Sequence, residues 1–314
     1  MQTRLPDELV VSDDHSIDAT VAILNEFVAR SPFPVRMEIN NQTLGLTKNF
    51  ERAISRCSGD VIFLSDQDDV WMPGKIELMA REFAKSDAIG LVFTDAELTD
   101  KSLTPLNDRL WNYSFAKTAR RKTLPHEFYK TLLRGNVVTG AAMAFRSDRI
   151  AAFMPFPAHI PDFIHDGWIA LAVSASSEIV YLETPLIKYR QHAAQDRGIN
   201  REIETPVTML EQLLKTLEYL RGHLIFLDQI RNHVNGNMPA QYAEKILESI
   251  AEIKLDMKDR ITHLENRLSL SDKGTRRVPA IFSELKSGRY HRFSKGIRSA
   301  VKDLFATAKA AGEK

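Results

Sequence analysis

One cysteine, Cys57, stands alone in 314 residues, so no internal disulfide framework can staple this chain, and such thiol usage fits a reducing compartment. Within its helical pattern Cys57 reads as buried filler rather than as a nucleophile. Long apolar runs are missing as well. Nothing reaches the roughly 18 uninterrupted apolar residues of a membrane-spanning helix, and the opening MQTRLPDE has no signal-peptide core. An excess of either charge is also lacking: 42 Lys and Arg stand against 41 Asp and Glu, a net charge of +1. No global electrostatic case for a nucleic-acid partner follows, and none is expected. Repeats and low-complexity tracts are absent too. The expectation is a cytoplasmic protein that at most lies at the inner face of the cell membrane.

What is present is ordinary soluble-protein composition, 44% hydrophobic and 26% charged, enough for one large domain and a smaller one. From residue 9 onward, strand-like and helix-like segments alternate: LVVSDD, TVAILNEFVAR, VRMEINN, TKNFERAISRC, VIFLSD, KIELMAREFAK and IGLVFTD. This order predicts an α/β domain over residues 1–200 with a mainly parallel sheet flanked by helices. Ligands of such sheets bind at the carboxyl ends of the strands. Three strands end in polar residues there, at Asp13-Asp14, Asn40-Asn41 and Asp66 to Asp69, and they should converge on one edge. After residue 201 the period changes. Met209, Leu210, Leu213, Leu214, Leu217, Leu220 and Leu224 recur at helical spacing, and a second run extends from Tyr242 to Leu268 after a break at Asn235 to Pro239. That is a helical hairpin, read as a packing or dimerising element.

The stretch VIFLSDQDDVW places three carboxylates, Asp66, Asp68 and Asp69, within four residues at the mouth of an apolar run. Like charges so close repel unless they are solvated or a cation sits among them, and Asp is the short, hard ligand that Mg²⁺ or Mn²⁺ prefers. The plain alternative is a polar turn ahead of a helix starting near Pro73.

VVSDDHSIDAT, then Asn41, Gly45 and Asn49, then FLSDQDDVW, VTGAAMAFR, HDGWIALA and YRQH resemble the family 2 glycosyltransferases, most closely the rhamnosyltransferase-like members that build bacterial surface polysaccharides. The likeness covers roughly residues 5 to 192, in the family's order and approximate spacing. It implies a GT-A, Rossmann-like fold and an inverting, metal-dependent transferase of the hexosyltransferase class. Such an enzyme moves a sugar, rhamnose in the members it most resembles, from a nucleotide-sugar to a polysaccharide or lipid-linked acceptor. Asp66-Gln67-Asp68 corresponds to the family's DXD element, with Asp68 as metal ligand, Asp66 shared between metal and ribose, and His192 as a further donor to the Mg²⁺ or Mn²⁺. By the same resemblance Asp13 and Asp14 contact base or ribose, Asn41 and Gly45 shape the nucleotide pocket, and Gly140 brings backbone close to donor sugar and acceptor. Arg190 approaches the diphosphate, and Asp166 is the general base. Ser16 and Asp18 read as helix caps, and Trp168 as core in preference to an acceptor platform.

The sequence departs from the pattern twice. Relatives often continue past YRQH with Gly-Asn-Asn, whereas Ala193-Ala194-Gln195-Asp196 follows here. Family members also begin with a strand bearing a Thr-Tyr-Asn-like turn, while this sequence starts just ahead of the second strand, so the resemblance implies that the first strand is missing. Two rival readings stay open: a catalytically degenerate, truncated relative with a binding or assembly role, and a receiver-like phosphoacceptor domain suggested by the paired acids. Finally, residues 276–309 interleave Arg277, Lys286, Arg289, Arg292, Lys295, Arg298 and Lys302 with apolar side chains. Such a basic amphipathic tail suits an anionic membrane surface or packs on the hairpin.

Overall fold

The computed structural model describes residues 1–115, 124–157, 164–192, 208–270 and 277–305. The departure at 193–196 and the predicted boundary near residue 200 lie outside the described residues. The chain divides into two compact units. The first is Met1–Arg201 with His233–Ile246, and the second is Glu202–Asn232 with Leu247–Lys314.

The first unit opens with β1 (Leu9–Asp13), α1 (Thr20–Arg30) and β2 (Val35–Ile39). β1 and β2 pair in parallel, Leu9 opposite Val35 and Asp13 opposite Ile39, forming a two-stranded sheet of their own. Parallel partners need a crossover, and α1 supplies it. Little covers this β1–α1–β2 segment: α1 buries none of its residues, and Ile23, Phe27 and Val28 are exposed. α2 (Leu46–Ile54), β3 (Val61–Phe63), β4 (Val70–Trp71), α3 (Lys75–Phe83) and β5 (Ile89–Thr99) follow. α3 carries Glu77 in its first turn and Arg81 in its last, each on the end its dipole favours. Its apolar side chains at Ile76, Met79 and Phe83 face inward. Met79 and Phe83 join Ile89, Val92, Ala144 and Leu186 in one core cluster, where each large side chain contributes about 1.5–3 kcal/mol.

Beyond β5 the strand–helix alternation stops. β6 (Pro105–Arg109) returns against β5 through a turn in which Asp100 Oδ1 accepts from the N–H groups of Ser102 and Thr104. A connection that short permits only an antiparallel partner. α4 (Phe128–Leu132), β7 (Met143–Arg146), α5 (His165–Ser174) and β8 (Glu178–Arg190) complete the unit. The larger sheet runs β3-β7-β5-β8-β4, with β6 beside β5. Only β5 and β8 are parallel in it; β7 is antiparallel to both β3 and β5, and β4 is antiparallel to β8. The expected mainly parallel sheet is thus a mixed one, because β6 returns on β5 by a hairpin and β7 enters between β3 and β5 running against both. All ten residues of α5 are buried. β4 positions the acidic stretch: by pairing Val70 with Lys188, it pins the Asp66 to Asp69 loop beside the end of β8.

α6 (Met209–Asn237) and α7 (Ala240–Leu268) are the expected hairpin, broken at Met238-Pro239. In the second unit Lys254 pairs with Asp228 at 2.5 Å and Arg221 with Glu265 at 2.7 Å. α8 (Arg277–Lys286), α9 (Arg289–Phe293) and α10 (Ile297–Phe305) close the described chain. Among the described residues no helix is long and apolar enough to cross a membrane.

Candidate functional site

The acidic loop supplies one wall. Ligand oxygens of Asp66, Asp68 and Asp69 all lie within 4.8 Å of one another. Asp69 Oδ1 accepts the Arg190 backbone N–H at 2.9 Å, while its Oδ2 is buried with no partner among the described residues. Burial first, then the charges of Asp68 and Asp166, push the Asp66 carboxyl up to about 6. Burial, with Asp66 and Asp68 adding to it, pushes Asp69 up to about 7 against the lowering hydrogen bond from Arg190. Under the cluster lies Lys75, fully buried. Its Nζ donates to the Ala141 carbonyl and sits 4.0 Å above the Trp71 ring. Burial draws this amine down to about 7, although Asp69 and Asp66 oppose the shift. An orphaned buried oxygen, two carboxyls that resist ionisation and a compact all-oxygen donor set fit a hard divalent cation.

His192 and Arg190 arrive from the end of β8. His192 Nε2 lies 3.0 Å from Asp68 Oδ2. Arg190 is at the site, but its Nε donates to the Asp68 carbonyl and its Nη1 to the Lys101 carbonyl, so the guanidinium ties the acidic loop to its surroundings.

Asp166 faces this wall from the first turn of α5, close enough for its charge to raise Asp66. Its Oδ1 accepts from Asn136 Nδ2 at 3.0 Å and from the Gly167 N–H at 2.6 Å; Oδ2 accepts from the Gly140 N–H at 3.1 Å. A Cβ at Gly140 would stand 3.0 Å from His165 Nε2 and 3.4 Å from Asp166 Cβ, tight enough to press on both side chains. His165 is stacked on Phe50, ring centroids 3.9 Å apart, and neither ring nitrogen has a hydrogen-bond partner among the described residues. Burial lowers its pKa below the usual imidazole value against the pull of Asp166, which keeps the ring neutral near pH 7. Trp168 is core, its Nε1 donating to the Phe153 carbonyl at 2.8 Å, so it offers no acceptor platform.

The β1 and β2 ends form a second polar patch, joined to Asp166 through the stack of Phe50 on its neighbour His165. Asp14 Oδ1 accepts from Asn40 Nδ2 at 2.9 Å and the Leu44 N–H at 2.7 Å, and Oδ2 from the Gly45 N–H at 2.9 Å. Burial would raise this carboxyl, but those three donors together hold it below the usual range. Asp14 therefore shapes the turn that contains Gly45. Asp13 is buried and accepts the Ser16 N–H at 2.9 Å. Asn41, expected to shape the pocket, is exposed at the turn; its neighbour Asn40, the other half of that polar strand end, is buried with Oδ1 unpartnered among the described residues. Asn49 braces it, accepting from Ser12 Oγ at 2.6 Å and Asn40 Nδ2 at 2.9 Å. Gly45 has φ +83° and open space where a Cβ would stand, so its backbone is bare to an approaching ligand. Asp18 Oδ1 accepts the Thr20 N–H at 3.0 Å in a local turn, but Ala19 stands at the N-cap of α1 with no side-chain cap bond, so the capping expected of Ser16 and Asp18 is not what the structure shows. Cys57 is half-buried, and burial raises its thiol to about 11, consistent with filler.

Residues 1–147 match the family model Glycosyl transferase family 2. The matched segment runs from β1 through β7 and contains Asp66, Asp68 and Asp69 and the turns after β1 and β2. Together with the α/β architecture and the helical region behind it, the match gives the fold class as GT-A. An uncharacterized protein of Mycobacterium tuberculosis is 24% identical over 193 residues, 61% of this chain and 52% of that protein. An uncharacterized glycosyltransferase of Nostoc sp. is 28% identical over 91 residues, 29% of this chain and 28% of that one. The chain therefore spans about half the length of the mycobacterial relative. A mannosyltransferase of Pyrobaculum calidifontis, solved with GDP-Man and Mn²⁺, superposes with a TM-score of 0.46 at 16% identity, covering 95% of this chain and 78% of that one.

Proposed function

We propose that the protein is an inverting, metal-dependent glycosyltransferase, taking a sugar, rhamnose by resemblance, from a nucleotide-sugar and passing it to a polysaccharide or lipid-linked acceptor. The observation that carries this reading is the pairing of a compact three-carboxylate cluster with a single separate carboxylate, Asp166, held by donors from Asn136, Gly140 and Gly167. Asp66, Asp68 and Asp69, with His192, would hold a Mg²⁺ or Mn²⁺ ion, which when bound neutralises the charge that develops on the leaving diphosphate. Asp13 and Asn40 border the turn where base and ribose would lie, and Gly45 lets them approach its backbone.

Asp166 takes the acceptor hydroxyl's proton. Its three N–H donors fix the carboxylate plane, and Oδ2, with one donor only, has a lone-pair direction left for that hydroxyl. One base on the far side of the sugar from the diphosphate means one displacement, hence inversion. His165, neutral and stacked, holds the wall beside Asp166 rather than sharing the proton. The test is release of nucleoside diphosphate from a panel of nucleotide-sugars with Mn²⁺ and with chelator. Mn²⁺-dependent release that rises with added acceptor is expected; a full panel without release above blank rejects the reading in favour of a non-catalytic relative.

A further inference from the structure

α10 is amphipathic the wrong way round for a packed helix. Its buried face consists of Ser299, Ala300 and Asp303, whereas Ile297 (62% exposed), Val301 (48%), Leu304 (37%) and Phe305 (75%) form a stripe at i, i+4, i+7 and i+8 on the open side. The polar face is what anchors the helix. Asp303 receives Arg267 Nε at 2.7 Å and Nη2 at 3.0 Å and accepts from Tyr290 OH at 2.6 Å, and Ala300 packs with Leu270, Ile281 and Tyr290. α8, packed against α10, likewise turns Val278 and Phe282 outward while burying Ile281 and Glu284.

The charges decide what covers this surface. Between Arg277 and Phe305 the only acids are Glu284 and Asp303, and both are buried in ion pairs, with Arg289 and Arg267. Arg289 and Arg292 are themselves paired, with Asp259 and Asp256. Lys286, Lys295, Arg298 and Lys302 are exposed. The open side of these helices therefore presents apolar side chains framed by positive charge and by no negative charge. A second copy of the same surface would set Arg298 and Lys302 against their own kind. A lipid bilayer with acidic headgroups meets both features at once, taking the apolar stripe into the headgroup boundary and the cations against its phosphates.

We infer that α10, assisted by α8, is a peripheral docking surface for an anionic membrane. The inference rests on none of the sugar-transfer chemistry, and its readout is lipid binding alone. The full-length protein is sedimented with vesicles of phosphatidylcholine and with vesicles of phosphatidylcholine and phosphatidylglycerol in equal parts, at low and high salt. Binding to the anionic vesicles that weakens with salt is expected, with little binding to the neutral ones. The double substitution Arg298→Glu/Lys302→Glu should weaken it by at least about 25-fold, at roughly fivefold for each cation removed from the surface, and Ile297→Ser/Phe305→Ser should weaken it at both salt concentrations. All four positions are exposed, so the thermal melting of these variants should match the parent. Equal binding to neutral vesicles, or variants that sediment like the parent, would overturn the inference. So would a dimer in analytical ultracentrifugation that Phe305→Ser dissolves while vesicle binding persists, since a second copy would then cover the stripe.

Discussion

At the scale of single residues, the two neighbours His165 and Asp166 differ in what they touch. Asp166 is oriented by donors on both oxygens, whereas His165 is buried, neutral and unpartnered among the described residues. Asp166→Asn keeps the shape and removes the basicity, so it should lower turnover by about 10²-fold or more, the scale of a positioned base, with donor affinity nearly unchanged. His165→Gln should be milder in turnover, because it removes a stacking partner of Phe50 and not a proton acceptor. Steady-state kinetics with donor and acceptor varied separately checks both. The acids themselves were legible in the sequence because Asp clusters at strand ends are local. Asn136, Asn40 and Lys75 were not. Asn136 lies 30 residues from Asp166, and Asn40 looked interchangeable with Asn41 until burial separated them. Lys75 did leave a signal: it stands four and eight residues ahead of Met79 and Phe83, on the apolar face of α3, where a lysine needs a counter-charge.

At the scale of elements, the segments through residue 99 follow their local patterns closely, since each strand or helix there is bounded by its own turn signals. Sheet direction was less legible, because it depends on what the chain does after β5, and the tight Asp100 turn that enforces a hairpin reads as an ordinary polar loop. Two segments differ sharply in cover. β5 is buried along nearly its whole length between β7 and β8, while β1 pairs only with β2 among the described residues and α1 buries nothing. Amide protection follows burial and closure of the ladder. Hydrogen exchange followed by mass spectrometry should therefore show β1, α1 and β2 exchanging far faster than β5 and β8 in the free protein, with the β1–β2 turns gaining protection when a nucleotide-sugar is added. Equal exchange in the two segments would contradict this ranking.

At the scale of the molecule, the acids of the β3–β4 loop, the end of β8 and the start of α5 lie together. The central claim is that this site takes a cation together with a nucleoside diphosphate. Asp66 and Asp69, raised to about 6 and about 7, hold protons at lower pH than those values, and a cation must displace them. Cation affinity should thus rise as pH climbs through that window and level off above it. The most direct measurement is calorimetric titration of nucleoside diphosphates into the protein with and without Mn²⁺, below pH about 6 and above pH about 7, for the parent and for Asp68→Ala. The account predicts Mn²⁺-dependent binding that is stronger at the higher pH and lost in Asp68→Ala, whose melting temperature stays at or above the parent's because one of three mutually repelling charges is gone. Unchanged affinity in Asp68→Ala, or binding of equal strength without Mn²⁺, would contradict it.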